Sequence, residues 1–166
     1  MRLLLDTNAL IWLCHPKRNP AIKEWLQGWL AHAQRGGDVE IFISAAADYE
    51  ARRGYLWKLD KHPDEPRALA RLDRLCELLG RYPISDAVLR KASRFWSEAR
   101  KGGYSTASER DIDWDVIIAA QAADLTAVVV TSNAGHISRY GVDARDWRDI
   151  PPPELGGSVT DTPKPE

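Results

Sequence analysis

The sequence predicts an α/β domain with three layers, α/β/α, built on a mostly parallel central sheet, and three observations carry that expectation. A short apolar run at Arg2 to Leu5 and β-branched runs at Val39 to Ile43 and Ala127 to Thr131 alternate with longer stretches of helical periodicity. Strands separated by helices pair in parallel through right-handed crossovers that cover both sheet faces. Two of the runs stop abruptly at polar groups, Asp6-Thr7-Asn8 and Ser132-Asn133, where the carboxyl ends of parallel strands gather functional side chains. At 166 residues the chain has room for one such domain and a tail.

The elements follow in order. Arg2 to Leu5 reads as a buried first strand. Ile22, Trp25, Leu26, Trp29, Leu30 and Ala33 recur at helical spacing and the helix stops near Gly36-Gly37. After the second strand, Ser44 caps a helix that runs through Glu50 toward Tyr55. Pro63 to Pro66 breaks the pattern, and Leu69, Leu72, Leu75, Cys76 and Leu79 mark the next helix, ending near Gly80. Tyr82 to Ile84 is a short strand, and Ser85-Asp86 opens a helix with Val88, Leu89, Ala92, Phe95, Trp96 and Ala99 on its apolar face. An exposed loop at Gly102 to Thr106 follows. Asp115 then opens a small-residue helix, Val116 to Ala123, before the third strong strand. From Pro151 the composition turns to Pro, Gly, Thr and acids, so residues from about 155 onward are expected to be disordered.

Lys and Arg total 23 against 24 Asp and Glu, a net charge of −1, so any nucleic-acid partner must be held by a local patch rather than by a global basic field. Cys14 and Cys76 lie far apart among apolar neighbours, as buried, reduced thiols do, which disfavours a disulfide scaffold or a zinc site. Three leucines before Asp6 are too few for a signal-peptide core, and no run is long enough to span a membrane, so the expected location is cytoplasmic.

Asp6 follows the first strand, Glu50 lies one or two turns into the helix after the second, Asp115 starts a helix, and Asn133 follows the Val128-Val129-Val130 strand. A parallel sheet can bring these loci to one edge. Oxygen ligands gathered there suit a hard cation such as Mg²⁺, which activates water and neutralises phosphoryl charge. Taken singly, Asp115 also reads as an acid complementing a helix dipole and Glu50 as a solvated helix-face acid. Asp6 differs, because a carboxylate directly after an apolar strand is costly to bury without a cation or hydrogen bonds.

Leu3-Leu4-Leu5-Asp6-Thr7-Asn8-Ala9-Leu10, Ile43-Ser44 with Glu50 downstream, Asp115-Val116-Ile117-Ile118-Ala119-Ala120, and Val129-Val130-Thr131-Ser132-Asn133 together resemble the PIN-domain ribonucleases, above all the VapC-type toxins of bacterial toxin–antitoxin pairs. The resemblance spans about residues 1–150 and implies a PIN-like nuclease domain there, with 151–166 as the tail. It further implies Mg²⁺- or Mn²⁺-dependent endonucleolytic cleavage of RNA by water, leaving 5′-phosphate and 3′-hydroxyl ends. Asp6, Glu50 and Asp115 match the first three family acids, and Thr131 matches the hydroxyl residue near the metal. Asn133 stands where a fourth acid is usual, which removes one negative charge and keeps a carbonyl able to hold water. Asp6 and Asp115 are then the metal ligands, with Glu50, Asn133 or Asp113 in support. The expected partners are RNA, with tRNA as the family expectation, and a small antitoxin that masks the acids; Trp25 and Trp29 serve either a homodimer, as is common in the family, or the core.

Other residues carry two readings each. His136 is either a phosphate contact or a helix-start or packing residue. Arg52, Arg53, Lys58, Arg100, Lys101 and Arg110 are either RNA contacts or a solvated face. Tyr55, Trp57 and Tyr104 can stack unpaired bases, although core packing also explains Trp57. Two further functions stand against the nuclease: a noncatalytic PIN-like RNA-binding module, and a haloacid-dehalogenase-like phosphatase with Asp6 as nucleophile. The phosphatase expects a second Asp where Asn8 stands.

Overall fold

The computed structural model describes residues 1–15, 17–104 and 109–153, with the side chains of 109–113 outside the description. Five short strands, β1 (Arg2–Leu5), β2 (Glu40–Ser44), β3 (Arg81–Tyr82), β4 (Val128–Val130) and β5 (Ala144–Arg145), form one parallel sheet in the order β3-β2-β1-β4-β5. Between β1 and β2 lie α1 (Thr7–Cys14) and α2 (Pro20–Gln34). Between β2 and β3 lie α3 (Ala45–Lys58) and α4 (Glu65–Leu79), and α5 (Asp86–Lys101) and α6 (Glu109–Leu125) lead into β4. A short α7 (Ala134–Ser138) precedes β5.

From β1 the chain steps outward to β2 and β3, then returns to the other side of β1 for β4 and β5. Right-handed crossovers therefore place α1 to α4 on one face of the sheet and α5 to α7 on the other, giving the three layers expected from the sequence. The reversal of strand order falls between β1 and β4, the position where open α/β sheets leave a crevice at their carboxyl ends.

Leu3, Leu4 and Leu5 are all inaccessible to solvent because β1 is central and covered on both faces, which is why it reads as an unbroken apolar run. Burial of each such side chain contributes roughly 1.5–3 kcal/mol. Leu3, Leu4 and Leu5 pair with Ile41, Phe42 and Ile43 on one side and with Val128, Val129 and Val130 on the other. A buried glutamine fixes α6 against the sheet: Gln121 Oε1 accepts from Ser44 Oγ at 2.6 Å, and its Nε2 donates to the carbonyl oxygen of Tyr82 at 2.6 Å. Trp25 and Trp29 both donate their indole N–H to the carbonyl oxygen of Ile150, at 2.6 and 3.2 Å.

Several expectations change here. The helix containing Asp115 begins at Glu109, so Asp115 lies in its second turn and is not a helix-start acid. The sequence signals missed the earlier start because the first turns, Glu-Arg-Asp-Ile-Asp, are mostly charged and carry no apolar stripe. Trp25 and Trp29 are buried in the core and cannot present a dimer face; the exposed apolar residues of α5 are Leu89 and Trp96. The expected third strand is at Arg81–Tyr82, since Pro83 has no N–H for a ladder. Ser105 and Thr106 of the expected loop, and residues 154–166 of the expected tail, lie outside the described residues. No described helix is long and apolar enough to cross a membrane.

Candidate functional site

Asp6 is the first residue beyond β1. Its backbone N–H donates to the carbonyl oxygen of Val130 at 3.2 Å, extending the β1–β4 ladder, while its side chain caps α1 by accepting from the Thr7 backbone N–H. Asp6 is only 5% exposed. Its other oxygen accepts from Thr131 Oγ1 at 2.7 Å and from Asn8 Nδ2 at 2.9 Å. Asn8 in turn bonds Thr131 Oγ1 at 3.0 Å and accepts the Ser132 N–H at 2.9 Å, and the Asn133 N–H donates to Thr131 Oγ1 at 3.0 Å. The carboxyl ends of β1 and β4 are thus stitched into one polar network centred on Asp6.

Glu50 joins through Thr7, whose hydroxyl donates to Glu50 Oε2 at 2.7 Å, so one threonine spans the two acids: its backbone serves Asp6 and its side chain serves Glu50. Asp115 is placed by a different contact. The rings of Tyr49 and Trp114 lie 4.9 Å apart, and they bring the Tyr49-Glu50 stretch of α3 beside the Trp114-Asp115 stretch of α6. Asp115 Oδ2 also lies 3.9 Å from Arg139 Nη2, next to α7. Asn133 precedes α7 with its side chain exposed.

Burial pushes the Asp6 carboxyl above the usual carboxylate range, against the lowering effect of its hydrogen bonds to Thr131, Thr7 and Asn8. Among the described residues every hydrogen-bond donor to Asp6 is neutral, so the buried charge is solvated without being neutralised. That is the condition in which a bound cation is favourable, and the all-oxygen donor set of Asp6, Glu50, Asp115 and Asn133 is the chemistry a hard divalent ion takes. Among the described residues no three His, Cys, Asp or Glu side chains already form a closed ligand set. The acids lie along neighbouring strand ends and helices instead.

A carboxylate with a raised folded-state pKa favours folding most when protonated. The benefit is complete below the unfolded value and is lost as pH rises through the folded one. In EDTA, Asp6→Asn is therefore expected to raise the melting temperature at neutral pH, with the gain shrinking toward pH 4. Thermal melts at several pH values read this directly, and a neutral-pH loss of stability would show that the hydrogen bonds outweigh the desolvation.

Other expected site residues fall differently. Asp113 lies within α6, where residues two apart do not share a face with one another, but its side chain and that of Arg110 lie outside the described residues. Arg52 is committed to Asp48 at 3.0 Å and Asp73 at 2.7 Å. His136 is exposed in α7, its Nδ1 3.1 Å from Arg139 Nη2. Tyr55 is buried edge-on to His15 and cannot stack bases, whereas Trp57 is 72% exposed rather than packed in the core. Thr7, Asn8, Tyr49, Trp114 and Arg139 received no individual role from the sequence. The Asp6-Thr7-Asn8 run was the available signal for the first two; nothing local marks the others, whose roles arise from contacts between helices.

No curated protein matches the chain. Among solved structures, FitAcB from Neisseria gonorrhoeae is 22% identical over 88% of this chain and 98% of that one, with a TM-score of 0.69. VapBC2 from Rickettsia felis bound to a promoter DNA fragment is 20% identical over 89% and 99%, with a TM-score of 0.68. VapBC-1 from nontypeable Haemophilus influenzae is 20% identical over the same shares, with a TM-score of 0.66. At these identities the likeness is one of fold. A family profile described as the PIN domain matches residues 3–142, which include Asp6, Glu50, Asp115 and Asn133. On that match and the fold shared with the VapBC and FitAB structures, the chain belongs to the PIN domain family.

Proposed function

We propose that this protein is a metal-dependent endoribonuclease, the toxin of a toxin–antitoxin pair. The observation that carries the proposal is the Asp6 carboxylate, buried at the β1–β4 reversal, solvated by neutral donors and tied through Thr7 to Glu50. Family membership supports nuclease chemistry, and the VapBC relatives of like fold support an antitoxin partner. Asp6 and Asp115 would hold the cation, Mg²⁺ or Mn²⁺, with Glu50 and Asn133 at its water shell. When bound, such an ion supplies activated water and charge neutralisation at the phosphoryl oxygens.

The chain's own residues do the rest. Thr7, Asn8 and Thr131 hold the Asp6 carboxylate in one orientation, so its charge needs no rearrangement when a phosphodiester arrives. Glu50, with Oε2 held by the Thr7 hydroxyl, would orient the attacking water and receive its proton. Arg53 Nη2, 3.7 Å from Glu50 Oε1, offers a cation to a flanking phosphate. Asn133 adds no charge, which lowers the repulsion that a fourth carboxylate would impose on the RNA backbone. An antitoxin segment that inserts an arginine among these acids would neutralise and cover them.

The test is incubation of total RNA and purified tRNA with the wild-type protein in Mg²⁺, in Mn²⁺ and in EDTA. Discrete products that need the metal, carry 5′-phosphate ends and vanish with the Asp6→Ala variant are expected. RNA binding without any cleavage would overturn the catalytic assignment in favour of a binding module.

A further inference from the structure

One exposed face of α3 alternates rings and cations. Tyr49, Arg53 and Trp57 recur every four residues and so lie in one row along the helix, with Lys61 in the turn that follows. All of the row is open to solvent: Tyr49 is 51% exposed, Trp57 72%, and the Arg53 side chain 55%. The cations sit over ring faces, with the Arg53 guanidinium carbon 5.5 Å from the Tyr49 ring centre and 5.7 Å from that of Trp114, and Lys61 Nζ 4.1 Å from that of Trp57. With Arg52 committed to Asp48 and Asp73, the charged residues left between Tyr49 and Lys61 are the cations Arg53, Lys58 and Lys61 and the acids Glu50 and Asp60, a local cationic excess in a chain whose net charge is −1. This is the local basic patch that the overall balance requires of any nucleic-acid binder.

We propose that Tyr49, Arg53 and Trp57, extended by Trp114 and Lys61, form a track for unpaired RNA nucleotides that leads to the acids. The inference deepens the nuclease proposal and rests on it for what the track delivers. Its lower end touches the site, since Arg53 bridges the Tyr49–Trp114 pair to Glu50. Its upper end, at Trp57, lies about 12 Å further along the helix at 1.5 Å per residue. Exposed rings stack bases of any identity, and cations beside them meet the phosphates between, which together make a grip on single strands. A duplex keeps its bases stacked on one another and offers the rings nothing, so the track selects loops and unpaired ends.

The experiment is equilibrium binding of fluorescein-labelled oligo-U, and of an RNA duplex of the same length, to the cleavage-deficient Asp6→Ala protein. Tyr49→Ala and Trp57→Ala are expected to weaken oligo-U binding by about tenfold each, with Trp57→Phe restoring most of the affinity and duplex binding changing little. Arg53→Gln should lower the slope of log affinity against log salt by about one ionic contact, and Trp57→Ala should leave that slope unchanged. Both rings are exposed, so folding is preserved and circular dichroism checks it. Undiminished oligo-U affinity in both ring variants, or equal losses on the duplex, overturns the track even if the wild-type protein cleaves RNA. Ring-dependent binding without wild-type cleavage would instead leave the track standing and remove the nuclease assignment. If the ring variants keep RNA affinity and lose binding to an antitoxin, the face docks protein and the proposal falls.

Discussion

Asp6→Ala is expected to reduce RNA cleavage by about a thousandfold or more while the protein remains folded. The two halves of that expectation have separate causes. Alanine removes the one buried carboxylate among the described site acids, and with it the charge that favours a cation between β1 and β4. It also removes the acceptor for Thr7, Asn8 and Thr131, so the strand ends lose their common orientation point. Stability changes little because two effects oppose one another. Loss of the α1 cap costs about 1 kcal/mol, and release of an unneutralised buried charge offsets a similar amount. Asn8 Nδ2 keeps Thr131 Oγ1 as its acceptor at 3.0 Å, while the Thr131 hydroxyl proton turns from Asp6 to water in the space the carboxylate leaves. Rate measurements alongside thermal melts separate the two effects. A variant that retained a tenth of wild-type cleavage would show that Asp6 is structural and that the acids of α3 and α6 suffice.

The second large effect lies away from the acids, at Asp48. Although nearly fully buried at 4% exposure, this carboxylate accepts from Arg52 Nη2 and Arg81 Nη1, both at 3.0 Å, and lies 3.7 Å from Cys76 Sγ. Arg81 opens β3 and Cys76 belongs to α4, so Asp48 fastens the first turn of α3 to the edge of the sheet and to its neighbouring helix. Burial and the nearby Asp48 charge push the Cys76 thiol up to about 11, which keeps it protonated and unreactive. Asp48→Ala leaves Arg81 facing a cavity without its acceptor and Arg52 with Asp73 alone. Removing one partner of a fully buried pair costs about 3–5 kcal/mol, but here the arginines are half-exposed, so a loss of about 2–4 kcal/mol is expected. That corresponds to a fall of roughly 5–15 °C in melting temperature. Cleavage per folded molecule at low temperature should be unchanged. A loss below 1 kcal/mol would mean that water screens the cluster despite the burial of Asp48.

The central strand was legible because burial on both faces leaves no room for polar alternation, and Ser44 and Ser85 cap α3 and α5 as their positions relative to the apolar stripes require. Helix α1 was less so. Thr-Asn-Ala-Leu-Ile-Trp-Leu-Cys is apolar nearly all round, so it lacks the contrast between faces that marks a helix, and Asp6 drew attention as an acid rather than as the cap it also is. Strand β5 is two residues long and Asp115 sits inside a helix whose charged first turns hide its start. Of the site, strand-end polarity pointed to Asp6 and motif order to Glu50, Asp115 and Asn133. The bridging role of Thr7, the Tyr49–Trp114 pair and the approach of Arg139 depend on how α3, α6 and α7 pack, which no local pattern encodes.

The bond between Thr131 and Asp6 spans 125 residues of sequence. During synthesis Asp6 leaves the ribosome early, yet its hydroxyl partner is made only after α6 and β4. Central strand β1 has only β2 beside it until then. Contacts of such long range form late and are paid for in loop-closure entropy before they yield stability. A nascent or truncated chain ending before β4 therefore carries Asp6 and Glu50 without the strand that sets them in place. The order of the strands thus makes the Asp6 network the last part of the candidate site to be completed as the chain is synthesised.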